Sequence, residues 1–136
     1  MKSEKGFSLL EVVIAITLMG IVAVAFLGGL STASKGIFNA DERATAESLA
    51  RTQMESARNQ EYDATNNPPQ YAKIPNIPAG YYIAGYDYDY ASSVIKAERL
   101  DKGNGTANDT GIQKITVIIK HQDKVLVTLE DYRSLR

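Results

Sequence analysis

An α+β fold is expected, one long N-terminal helix laid on a small antiparallel sheet, and three features of the 136-residue sequence predict it. Apolar residues crowd between Phe7 and Leu30 and thin out afterwards. Helix-forming residues then continue in an amphipathic pattern to about Gln60. Beyond a stretch holding all four prolines, two segments of strand composition close the chain around a tight turn. A net charge of −1 leaves no electrostatic footprint for nucleic acid. With no cysteine there is no disulfide, zinc ribbon, CxxC redox motif or lipid-acylated thiol.

The helix comes first. Residues 1–30 read MKSEKGFSLLEVVIAITLMGIVAVAFLGGL, a polar start with Lys2 and Lys5 followed by an uncharged run from Val12 to Leu30. Those residues make roughly 28 Å of helix, close to the ~30 Å thickness of bilayer hydrocarbon. The basic flank stays cytoplasmic by the positive-inside rule, which puts everything after Leu30 on the far side. A discarded secretory signal peptide is one reading, and Ala23-Val24-Ala25 supplies an A-x-A cleavage pattern that would leave Phe26 as the first residue. Against it stands Glu11, since a signal peptide gains nothing from a carboxylate in its apolar segment. A plain membrane anchor tolerates Glu11 but does not require the abrupt Gly6-Phe7 change from polar leader to apolar helix.

The stretch Lys5-Gly6-Phe7-Ser8-Leu9-Leu10-Glu11 resembles the leader junction of type IV prepilins and type II secretion pseudopilins. That resemblance implies a membrane peptidase that cuts after Gly6 and methylates the new N-terminus, Phe7. It implies that Glu11, at the fifth mature position, attracts the Phe7 ammonium of a neighbouring subunit and so sets register in a filament. From the residues alone an intramolecular pair remains open, because Phe7 and Glu11 are about one helical turn apart.

After Leu30 the helix is expected to continue. Ala33, Ile37, Ala40, Ala44, Leu49, Ala50, Met54 and Ala57 recur at helical spacing, while Asp41, Glu42, Arg51 and Arg58 take other positions. The stripe reads as the face that covers this chain's own sheet. A helix from about Phe7 to Gln60 is some 80 Å long. Many major pilins carry proline at the mature position that here is Gly28. The pair Gly28-Gly29 leaves a flexible point there and points away from a principal filament subunit.

Tyr62 opens the rest. Its proline-rich loop runs into a segment with five of the eight tyrosines, where Tyr86-Asp87-Tyr88-Asp89-Tyr90 alternates as a strand with one aromatic face. Residues 101–111 have turn chemistry. IQKITVIIKH and KVLVTLEDYR form a hairpin around Gln122-Asp123, in a sheet of three or four strands. The segments are thus 1–6 as leader, 7–30 as hydrophobic helix, 31–60 as its amphipathic continuation and 61–136 as sheet domain.

Candidate chemistry is sparse. His121, the one histidine, sits at the hairpin's end and reads as a solvated polar residue, with no Ser/His/Asp set or metal-ligand spacing around it. Asp101, Asn104 and Asp109 offer oxygen ligands for calcium, which some pseudopilins bind in a C-terminal loop, but Lys102 and the spacing do not fit an EF-hand. Asn104-Gly-Thr106 and Asn108-Asp-Thr110 match the short N-x-S/T pattern. No cofactor is expected. The expected role is structural: a minor pilin, with a type II secretion pseudopilin as the alternative and a membrane-anchored enzyme or binding module as the distant one. Ala50-Arg-Thr-Gln-Met-Glu55 and the closing LEDYR resemble pilus-modification minor pilins. Partners implied by the resemblance are a prepilin peptidase, other pilin subunits, an inner-membrane assembly platform and membrane lipid.

Overall fold

The computed structural model describes residues 8–100 and 111–135. The chain divides into two compact units, 1–40 and 41–136. Helix α1 (Leu9–Asn59) contributes to both. In the first unit every described residue is exposed, and α1 runs through Gly28-Gly29 without interruption. The glycine pair expected to be a flexible point is thus helical.

The second unit holds the core. From α1 it buries Ala46, Leu49, Ala50, Gln53, Met54 and Ala57, the i, i+3, i+4, i+7 spacing of one helical face. Ala33, Ile37, Ala40 and Ala44 stay exposed, so the stripe read as cover for the sheet does this only from Ala46 onward. Opposite that face lie Tyr71, Ile83, Ile95, Ala97, Ile115, Val117 and Ile119. Each fully buried isoleucine contributes about 1.5–3 kcal/mol by leaving water.

These residues come from five antiparallel strands: β1 (Gln70–Ala72), β2 (Tyr81–Ala84), β3 (Val94–Arg99), β4 (Ile112–His121) and β5 (Lys124–Ser134). Strand β4 is the centre. Its whole length pairs with β5, from Ile112↔Ser134 to His121↔Lys124. Its other side is shared by β3, at Ala97↔Ile115, and β2, at Ile83↔Ile119, while β1 pairs with β3. The hairpin falls where the sequence places it, and Gln122 takes the left-handed conformation its tight turn needs.

Two expectations fail in the middle. Among the described residues the strands number five, because the proline-rich loop forms β1. Residues 86–90 are not a strand. Gly85 packs so closely on β3 that a Cβ would lie 2.6 Å from the Lys96 carbonyl oxygen. The Tyr88 N–H donates back to Gly85 O at 3.1 Å, with Tyr88 at φ 57°. Asp89 Oδ1 accepts from the N–H groups of Ala91 and Ser92. The aspartates therefore bind local backbone, which competes with a sheet ladder. Asp87 pairs with Lys96 at 2.7 Å, and the Tyr90 ring lies 4.8 Å from Lys120 Nζ. The loop thereby covers part of the sheet face turned away from the helix, where Ala84 and Ile118 are buried.

The segment after α1 is held by polar groups. Asp63 Oδ1 accepts from Thr65 N, Thr65 Oγ1 and Asn66 N, and its Oδ2 from Asn66 Nδ2 and Gln70 N, at 2.8–3.1 Å. Gln113 Nε2 donates to Asp63 O, and Arg99 donates to the carbonyls of Ala64 and Asn66. Burial raises the Asp63 carboxyl, but the hydrogen bonds from Asn66, Gln70 and Thr65 outweigh it and hold the group well below the usual carboxylate range. A carboxyl depressed in the folded state stabilises fully above its unfolded pKa and loses that contribution as pH falls towards the folded one. Denaturation midpoints are therefore expected to drop below about pH 4. In Asp63→Asn the midpoint is lower at neutral pH and its acid slope shallower. An unchanged slope would show that the acid sensitivity resides elsewhere, for example in Asp87, whose carboxyl is lowered against its burial by Lys96.

Candidate functional site

The feature that sets this molecule apart is the apolar first part of α1, whose described residues up to Ala40 are all exposed. At its start the N–H groups of Glu11 and Val12 donate to Ser8 O at 2.9 and 3.2 Å, closing the first turn. Glu11 stands in that turn, where a carboxylate suits the positive end of the helix dipole. From Leu9 to Ser34 it is the one charged side chain. Leu9 is 83% exposed, Met19 76% and Val24 72%. A core helix of a water-soluble protein would be mostly buried, and none of this apolar window is. The segment is long and apolar enough to cross a bilayer.

Its polar atoms fit an apolar solvent too. The hydroxyls of Thr17 and Thr32 donate to the carbonyls of Val13 and Gly28, one turn back, so neither needs water. Gly20, Gly28, Gly29 and Gly36 face open space. Glu11 has no ion pair among the described residues. A carboxylate at membrane depth costs roughly 2.5–3.5 kcal/mol and ordinarily has a partner. That partner is to be sought outside the described chain.

Of the residues singled out in the sequence, Glu11 is thus placed on the exposed helix. Gly6 and Phe7 lie outside the described residues, as do the calcium candidates Asp101, Asn104 and Asp109. Among the described residues no group of three or more metal-ligating side chains comes together. His121 is packed rather than solvated: its ring stacks on Tyr81 at 4.4 Å, and Nδ1 lies 3.7 Å from Glu42. It ties the hairpin to α1. Sequence reasoning missed Gln53, Gln60 and Asp63. The one available signal was a glutamine at a core-facing position of the helical stripe.

A family model described as the prokaryotic N-terminal methylation motif matches residues 1–27. No curated protein and no solved structure matches the chain. The motif supports a type IV pilin-like, prepilin-type family and a structural subunit. It implies processing by a prepilin peptidase and assembly with other pilin subunits, and with the exposed apolar helix it fits a membrane-anchored chain.

Proposed function

We propose that the chain is a minor structural subunit of a type IV pilus-like filament, made as a prepilin, cut after Gly6 and N-methylated on Phe7. The observation that carries this reading is the coincidence of the methylation motif with an apolar helical window of which nothing is buried among the described residues. Before assembly the helix sits in the cytoplasmic membrane with residues after Leu30 outside the cytoplasm, in contact with lipid and an inner-membrane assembly platform. In the filament neighbouring helices replace the lipid, and the small residues Gly20, Ala23 and Gly28 let them approach closely. Gly28, standing where many principal pilins have proline, supports the minor role.

Intact-mass analysis of the chain from its own membranes tests this. The expected product begins at methylated Phe7 and reverts to the full precursor when the prepilin peptidase is deleted. A product beginning at Phe26 would identify an ordinary signal peptide and end the proposal.

A further inference from the structure

The sheet has an edge that nothing in the described chain covers. Strand β5, its longest, pairs with β4 alone and leaves its other side open. Natural edge strands avoid stray pairing by being short, by proline, by bulges or by unpaired charges turned inward. β5 has no proline, and its one register shift lies by the hairpin, opposite Ile119/Lys120. Its helix-side charges are engaged: Asp131 with Arg58, and Arg133 with the carbonyls of Ala57 and Gln60. Beyond that shift, at Leu126, the open edge from Val127-Thr128-Leu129 onward is a template for another strand.

Beside it, between α1 and β5, runs a groove of about 350 Å³ at one end and about 510 Å³ at the other, joined at Arg51 and Leu129. Arg43, Glu47, Arg51 and Glu55 line it with charge of alternating sign at every fourth residue. Four residues of helix span about 6.0 Å, and two residues of strand span about 6.6 Å. Successive side chains on one face of a strand laid along α1 therefore meet these charges in turn. β5 itself lies along α1 in this way: Val127 and Leu129 pack against the core that Ala50 and Met54 belong to, and Asp131 accepts from Arg58. Arg43 pairs with Glu47, whereas Arg51 and Glu55 have no ion pair among the described residues.

We infer that the β5 edge receives an extended segment of a neighbouring subunit, with an acidic side chain over Arg51 and a basic one two positions along over Glu55. This rests on the reading of the chain as a filament subunit. A second copy is a poor donor. Among its described strands, opposite charges two apart occur as Lys96/Glu98 on β3, inside the sheet, and Asp131/Arg133, already engaged. The described strands of a second copy thus offer no free donor, which favours a different chain.

Photo-reactive side chains at Thr128 and, separately, at Leu27 of the full chain in its native membrane test this. The Thr128 probe is expected to capture one defined extended segment of another pilin-like subunit, identified by peptide mass. Arg51→Glu lowers that adduct about tenfold relative to the Leu27 adduct, and reversing the captured acidic residue restores it. Should Leu27 capture pilin subunits while Thr128 reacts only with lipid, its own chain or a partner's helix, the inference falls and the filament reading stands. An Arg51→Glu adduct at full yield would likewise overturn it. If neither probe captures another subunit, both readings fall.

Discussion

A Glu11→Ala chain is expected to be cut and methylated normally and yet to be lost from filaments. The two halves of that result come from different chemistry. On the proposed reading cleavage acts at Gly6-Phe7 and needs the apolar helix to present the junction, and Glu11 is expected to add nothing to either. Assembly differs. Within the run from Leu9 to Ser34 the only strongly directional group is the Glu11 carboxylate. The rest is apolar surface with a few hydroxyls, of which Thr17 and Thr32 donate within their own helix, and its van der Waals packing is tolerant of axial sliding. On that reading a subunit entering a bundle of such helices has one charge to fix its register, and processing would create one opposite charge, the Phe7 ammonium. Pairing them removes a desolvation cost of roughly 2.5–3.5 kcal/mol for the carboxylate alone. Without the pair, incorporation is expected to fall by about 100-fold if that cost is recovered in full on assembly. Glu11→Gln should fail nearly as badly, since an amide keeps the hydrogen bond and loses the charge. Membrane-extracted and sheared filament fractions, probed side by side, give the measurement. Wild-type levels of Glu11→Ala in filaments would remove the role assigned to this residue.

How much was legible in the sequence depends on the range of the interactions. The apolar run, Glu11 within it and the β4–β5 hairpin are local patterns, and each could be read directly. β4 and β5 begin where their strand composition begins, because the turn at Gln122-Asp123 is a two-residue signal. The tyrosine segment misled for the opposite reason. Its period-2 pattern is local, but the conformation is decided by Gly85 against Lys96 and by Asp87 reaching Lys96, partners nine to eleven residues away. The alternating aspartates, read as one face of a strand, are the residues that cap turns. The stripe of α1 was misjudged at one end only. Periodicity shows that a face is apolar; it does not say whether the chain's own sheet covers it, as for Ala46 to Ala57, or leaves it exposed, as for Ala33 and Ile37. Gln53 and Asp63 act through main-chain atoms of β1 and the loop before it, which carry no sequence signature.

The largest loss of fold stability from one side chain is expected at Gln53. Its position on α1, between Ala50 and Ala57 on the buried face, is one where an aliphatic residue would ordinarily stand, and it is 0% exposed. Nε2 donates to Ala72 O at 3.0 Å, and Oε1 accepts from the Ile74 N–H at 2.9 Å. About two turns later, Gln60 does the same for Ala72, donating to its carbonyl at 3.1 Å and accepting from its N–H at 2.7 Å. Two glutamine side chains thus satisfy the backbone where the three-residue β1 ends. Substitutions separate the contributions. Gln53→Met fills nearly the same volume but orphans the Ile74 N–H, while Ala72 O keeps Gln60; the cost is about 1–3 kcal/mol. Gln53→Ala adds a cavity and should cost about 3–5 kcal/mol, a large part of a small domain's total of about 5–15 kcal/mol. Arg51→Ala, two residues away and exposed, is the control and should stay within about 0.5 kcal/mol of the parent. The full chain in mild detergent, denatured with urea and followed by its tyrosine near-ultraviolet signal, reports the second unit, since all eight tyrosines lie beyond Arg58. The order Ala below Met below parent is the expected outcome. If Gln53→Met matched the parent, the glutamine would be a space-filler and the backbone bonds it makes would be energetically idle.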